Sequence, residues 1–479
     1  MSYGPSEFAQ HKILGKFTEN DDIKQKLREF KEPEYPEDSR ATGTPISRRQ
    51  WSPKYVVAID GSHHEVQYDQ GFPGAELGFV SVATILIDVN RLQEEADKPS
   101  IDPVKFNQVQ SAYSFATVLA STNMVLKSDP DSRASFRRQW AKLLEDTCPA
   151  DDAESLAETY RALYAHKPRE TDQRCPLVDV CMDANRPSAD FEKGTCACGK
   201  YPVYLSDALR IHEGFSDFAS NGECFGEVMR VLEHLLLVAF VRQMERLCER
   251  SGNWSMFRDT AIVMDGSLAV FGHPAWLSQA IKVELARINQ RVNQEISEDL
   301  LIFGIEKSGR FFDHWCRLDQ KSSKDFQKER TAENGGNSEE DDTFRAMLPG
   351  RIPRQSTLLV DDPYIKKFVV PSASDKPHGK DTYYGRPFLY KTVTGALIVG
   401  ISAILSDAQD DRSLATPAQY PRLPDMLDLL DMLVSMRHPN AIIPLIAAHA
   451  EAAIPLNMGE KVLEKLAREH ISGNRRDPE

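Results

Sequence analysis

The chain has no long hydrophobic run. Its longest apolar stretch without a charge, residues 392–405 (TVTGALIVGISAIL), is shorter than the roughly 18 residues that indicate a membrane span, so no transmembrane helix and no membrane partner are expected. No basic segment followed by an apolar one occurs in the opening MSYGPSEFAQHK, so no export signal is expected and the cytoplasm is the default compartment. Cysteine is scarce, 8 in 479 residues, which excludes a disulfide scaffold. Positive charge is in deficit: 58 Lys and Arg face 72 Asp and Glu, and the net charge of -14 excludes a broadly basic surface. Neither a Gly-x4-Gly-Lys-Ser/Thr loop nor a Gly-x-Gly-x-x-Gly turn after a strand is present, so ATP-driven work would have to come from a partner. No internal repeat of fixed period is found.

What is present suffices for a substantial core: 41% of residues are hydrophobic and 9% aromatic. The length fits two or three domains, or one large domain with insertions. Residues 1–50 read as a polar arm or linker, because KEPEYPEDSRATGTPISRR cannot repay the entropy of ordering. Buried strands are predicted at residues 55–60 (YVVAID), 77–88, 260–265 (TAIVMD), 301–305 (LIFGI) and 396–405. Helical spacing is predicted over 225–250, 274–293, 424–437, 441–453 and 458–470. Residues 100–220 read as a largely helical insertion carrying a cysteine patch, and 319–380 as a charged loop and linker. The core is then assembled from 51–99, 221–318 and 381–479. Strands alternating with helices imply an α/β class.

The most informative feature is a buried strand ending in Asp-Gly-Ser, found at Asp60-Gly61-Ser62 and again at Asp265-Gly266-Ser267. One copy is ordinary turn chemistry. Two copies, each after a buried strand, place two carboxylates at a sheet edge where they can share a hard cation such as Mg2+ or Mn2+. Glu233 lies with His234 in an otherwise apolar helical run, VLEHLLLVAFV, so at least one of the two should face the interior. A buried carboxylate costs several kcal/mol unless compensated, by a cation or by a buried salt bridge. Lys307 follows the strand LIFGI in the sequence Gly304-Ile305-Glu306-Lys307-Ser308 and is placed to meet a phosphate or developing charge, or to be a surface lysine. His449 sits in the apolar IIPLIAAHAEAAI, the setting of a satisfied core histidine unless other site residues join it.

Taken in order, these motifs resemble the NurA nuclease family: strand-Asp-Gly-Ser, a helix with an inward glutamate, strand-Asp-Gly-Ser-Leu, Gly-Ile-x-Lys-Ser, and Ala-His in a late apolar helix. The resemblance covers roughly residues 51–90, 225–315 and 381–470. It implies an RNase H-like mixed sheet flanked by helices and a Mn2+- or Mg2+-dependent deoxyribonuclease. It also implies a homodimer that acts on DNA with a HerA-type hexameric ATPase in end processing, repair or anti-phage defence. Asp60, Glu233 and Asp265 would be metal ligands, and Lys307 and His449 further catalytic residues. Two points depart from the family pattern. A Tyr-Pro pair expected eight residues before the histidine is replaced by Ala441 and Ile442, leaving His438, Tyr384 or Tyr390 as substitutes. The spacing from Glu233 to Asp265 is long, and Glu245 would fit a shorter one. His63-His64 would either add a metal ligand or lie in a solvated loop.

Cys175, Cys181, Cys196 and Cys198 form two pairs in a Pro-, Gly- and Asp-rich segment, where four thiolates could hold a structural Zn2+. The alternative is unpaired thiols, with His166 or His212 as substitute ligands. A rival to the nuclease is a catalytically weak regulatory or scaffold subunit that docks on the ATPase and stimulates it. The missing Tyr-Pro pair and the large insertion motivate it.

Overall fold

A computed structural model describes residues 12–30, 43–68, 74–96, 110–150, 152–177, 180–181, 183, 185, 187–319, 351–434, 441–455 and 458–472. Residues 1–40 form one compact unit and 41–479 another. In the first, helices α1 (Lys12–Glu19) and α2 (Asp21–Glu29) occupy part of the expected arm, while residues 1–11 and 31–42 lie outside the described residues. The Asn20 side chain caps α2 by accepting from Asp22 N–H at 2.9 Å.

The second unit is built on a nine-stranded mixed sheet. Its strands are β1 (Thr44–Pro45), β2 (Tyr55–Gln67), β3 (Glu76–Asp88), β4 (Gln110–Ala120), β5 (Thr260–Asp265), β6 (Ile302–Glu306), β7 (Ser356–Leu359), β8 (Gly385–Lys391) and β9 (Leu397–Ala403). The order across the sheet is β1-β7-β8-β9-β6-β5-β2-β3-β4. The β2–β5 and β5–β6 pairs are parallel; all other neighbours in the sheet are antiparallel. The segment β4-β3-β2-β5-β6, an antiparallel meander joined to two parallel strands, is the RNase H-like arrangement.

Both faces of this sheet are covered, which explains why its central strands read as continuous apolar runs. Val57 and Ile59 of β2 pack on one face with Val231, Leu235 and Val238 of helix α6 (Gly222–Ser251). Val56 and Ala58, alternating with them, pack on the other face with Leu427 and Leu430 of α9 (Leu423–Leu433) and Leu445 and Ala448 of α10 (Ile443–Ala452). Helices α4 (Ser132–Asp146) and α5 (Leu156–Tyr164) join the α6 side through Phe136, Trp140 and Tyr160. The remaining helices named here are α3 (Val89–Ala96), α7 (Leu277–Ile296), α8 (Arg310–Asp319) and α11 (Met458–Ser472). Among the described residues, no helix is long and apolar enough to cross a membrane.

Three sequence expectations change. The helical insertion does not begin at residue 100, because Gln110–Ala120 pairs antiparallel with β3 over its whole length. The linker at 319–380 contains β7, which joins the sheet through β8 and carries β1 on its other side; the charged stretch 320–343 lies outside the described residues. Strand β2 does not stop at Asp60-Gly61-Ser62 but continues to Gln67, paired with β3 throughout.

Candidate metal-binding carboxylate centre

The site lies where parallel pairing ends. The β2–β5 ladder closes at Ile59↔Met264, so the next residues of the two strands are Asp60 and Asp265. The β5–β6 ladder closes at Asp265↔Ile305, which puts Glu306 and Lys307 just beyond it. Carboxyl ends of parallel strands are where open α/β sheets bind ligands. Here they open into a cleft of about 750 Å3 lined by Asp60, Glu233, Asp265, Glu306, Lys307 and His449, among others.

Asp60 is 4% exposed and uses both oxygens. Its Oδ1 accepts from Gly61 N–H at 2.8 Å, and its Oδ2 accepts from His449 Nδ1 at 2.9 Å. Asp265 Oδ2 pairs with Lys307 Nζ at 2.7 Å. One ligand atom each from Asp60, Asp265 and His449 lie within 4.8 Å of one another. Glu233 is fully inside α6 and reaches the same place: a Cβ on Gly61 would come 2.8 Å from its Oε1. Glycine at 61 therefore lets the β2 backbone pass against the glutamate.

The electrostatics of this cluster favour a cation. Burial, then the charge of Asp265, pushes Asp60 up to about 6, while Lys307, His449 and the Gly61 N–H only partly offset them. Burial, then Asp60 and Asp265, holds Glu233 well above the ordinary carboxylate range, against the pull of Arg230 and the Gly61 N–H. Burial alone brings Glu306 up to about 7. Several carboxyls that cannot all ionise without cost share one cleft. The ligands on opposite sides of one Mg2+ or Mn2+ are about 4 Å apart, so the Asp60, Asp265 and His449 atoms fit such an ion with small adjustments.

No protein-family profile matches this chain, and no curated relative aligns with it. Solved structures of NurA nucleases are similar to it over nearly its whole length. The NurA nuclease from Sulfolobus solfataricus is 10% identical, covers 98% of this chain and all of its own, and superposes with a TM-score of 0.36. A NurA structure bound to dAMP and manganese is 12% identical, covers 98% of this chain and 96% of its own, with a TM-score of 0.26. Scores this low mark a distant likeness, and the chemistry here rests on the cleft itself.

All five residues singled out for the site meet in it. His449, expected to be a core residue unless others joined it, has a side chain 60% exposed and bonded to Asp60. Both Glu233 and His234 are buried; Tyr384 OH donates to His234 Nδ1 at 2.6 Å, and His234 Nε2 donates to Ala269 O at 3.0 Å. Glu245 is elsewhere, in an ion pair with Arg287 at 2.7 Å. His63 lies against Met229 S at 3.4 Å and is not part of the cluster. Tyr384 and Tyr390 do not line the cleft, since Tyr390 bonds Asp431 at 2.8 Å, and His438 lies outside the described residues. Tyr383 does line it, brought in by a bridge to Ala269. Arg230 and Glu306 were also missed. The signal for Glu306 was its place as first residue after LIFGI; Arg230 is one turn before Glu233 on the same helix. The four cysteines gather at a separate place, described below.

Proposed function

We propose that this protein is a metal-dependent nuclease that hydrolyses phosphodiester bonds in DNA. The observation that carries the reading is the meeting of Asp60, Glu233 and Asp265 with Lys307 and His449 at the ends of β2, β5 and β6. The carboxylates supply hard oxygen donors and His449 an imidazole nitrogen, a set that suits Mn2+ and also admits Mg2+. Such an ion, when bound, activates water and offsets charge on the phosphate oxygens.

The chain's own groups do the rest. Lys307, held on Asp265, balances the charge that the phosphate brings. Arg230 presents a second cation to the same cleft. His449 is solvent-accessible and held through Nδ1 on Asp60, which sets its ring at the edge of the cation site. Burial of Asp60 and Glu233 keeps their charge directed at the cation site instead of at water.

A net charge of -14 gives little general attraction for DNA, and the chain has no phosphate loop of its own. These features leave the delivery of DNA to a partner, and the motif resemblance to the NurA family extends the proposal to a homodimer working in the cytoplasm with a HerA-type hexameric ATPase, in end processing, repair or anti-phage defence. The test is cleavage of circular and linear duplex DNA with Mn2+ or Mg2+, with and without such an ATPase. Wild type should cut and Asp265→Asn should lose at least about 100-fold of the rate. Equal activity of the two proteins would overturn the proposal; exonuclease action spares the circle, endonuclease action does not.

A further inference from the structure

We propose that Cys175, Cys181, Cys196 and Cys198 form a structural zinc site that organises the segment between α5 and α6, separate from the carboxylate cleft. The Sγ atoms of Cys175, Cys181 and Cys196 lie within 4.8 Å of one another. Cys196 Sγ is 3.5 Å from Cys175 Sγ and 3.5 Å from Cys198 Sγ. Disulfide sulfurs are about 2.05 Å apart. The corners of a tetrahedron around one zinc, with Zn–S bonds of about 2.3 Å, are about 3.8 Å apart. Cys175, Cys181 and Cys196 are thus spaced as corners of a single-ion site, which Cys198 would complete from beside Cys196, and the three are too close together to surround an iron–sulfur cube.

The surrounding chain has the form of a metal knuckle. Cys196 N–H donates to Tyr201 O at 2.9 Å and Gly199 N–H to Cys196 O at 2.8 Å, with Gly199 in the left-handed region at φ 71°. This turn folds Cys198 back so that its backbone N–H faces the Cys196 sulfur. Among the described residues of 171–203, regular structure is limited to two isolated bridges, Asp190↔Thr195 and Thr195↔Pro202. The local core contains Leu177, Ala189 and Val203 around Cys175 and Cys196, with Phe191 and Tyr201 packed against it. So few apolar side chains do not hold a loop of this length, and a cross-linking ion at their centre would.

The nearby histidines are otherwise engaged. His212 Nε2 lies 3.2 Å from Pro176 O, and His166 Nε2 lies 3.6 Å from Glu284. The knuckle is tied to the main body by Arg137, which donates to Pro202 O at 2.8 Å and pairs with Asp207 at 2.6 Å. Zinc here would fix the position of this segment against α4 and α5.

Metal content of the full-length protein tests this without reference to cleavage. Wild type and Asp265→Asn should each carry one zinc per chain after a chelator wash. Cys196→Ser should retain less than a tenth of that. Wild type reconstituted with Co2+ should show thiolate-to-cobalt charge-transfer absorption and the strong visible bands of a tetrahedral site, a readout that needs no variant to fold. Absence of both zinc and the cobalt spectrum in wild type would overturn the proposal. So would iron in place of zinc, or zinc that leaves with Asp265→Asn and stays with Cys196→Ser.

Discussion

Replacing Asp60 by Asn should make the metal-free protein more stable at neutral pH while removing its activity. Asp60 titrates at about 6 in the folded protein, against an ordinary value of 3.8. Because the folded value is raised, the proton is held more tightly by the folded state. The group's favourable contribution is fully present below 3.8, and it is lost as pH rises through about 6. At pH 8 the ionised side chain costs about 3 kcal/mol relative to the unfolded chain. Asparagine keeps an oxygen for the Gly61 N–H and removes the charge that burial and Asp265 oppose. With an unfolding entropy of about 2.1 cal/mol/K per residue, the gain corresponds to about 3 °C in melting temperature. Scanning calorimetry in EDTA at pH 8 and pH 4 measures it: the variant should melt higher at pH 8 and the two proteins should converge at pH 4. Mn2+ at about 100 times its Kd should raise wild type by about 2.7 kcal/mol and leave the variant nearly unchanged. A variant no more stable than wild type at pH 8, or one whose advantage persists at pH 4, would refute the reasoning.

Gly61→Ala should destabilise the protein by about 1–3 kcal/mol, since the added Cβ meets Glu233 Oε1 and Met229 Cγ, each at 2.8 Å. Denaturant unfolding checks the loss, and Mn2+ titration should show weaker binding alongside it. Glu245→Gln should leave Mn2+ affinity and cleavage within about twofold of wild type, because its carboxylate serves Arg287; a large loss of metal would reinstate it as a ligand. His449→Ala should slow cleavage by about 100-fold. It should also move the pH at which the metal-free protein loses stability upward, because His449 is one of the groups that lowers Asp60.

The sequence made the two aspartates readable because each closes a run of β-branched and apolar residues, and a strand buried on both faces leaves no other reason for a carboxylate at its end. Glu233 and Glu245 could not be separated by spacing alone. They are 12 residues apart on one helix, about 18 Å along its axis, and only the crossing point of α6 over β2 selects between them. Strand β4 lies at the sheet edge, and the small and polar residues of QSAYSFATVLA leave it without the continuous apolar run by which the central strands were recognised. The Gly-Ser after Asp60 carried a turn signal that the β2–β3 ladder overrides from Gly61 to Gln67. His449 was obscured by its apolar neighbours: Ala448 and Ala452 are buried, while the histidine sits at the margin of that face, where it is exposed and reaches Asp60.

The closing of the parallel ladder at Ile59↔Met264 has a consequence for ion choice. Asp60 and Asp265 inherit their separation from the interstrand repeat of about 4.8 Å, so the sheet acts as a gauge fixed by backbone hydrogen bonds. An ion that demands wider spacing or more ligands, as Ca2+ does, must strain that frame, whereas side chains on loops would simply rotate to accept it. His449 comes from a helix on the other side of the cleft and can follow the ion. Two rigid jaws and one compliant one would make Ca2+ a competitor that binds poorly and leaves the reacting groups out of line.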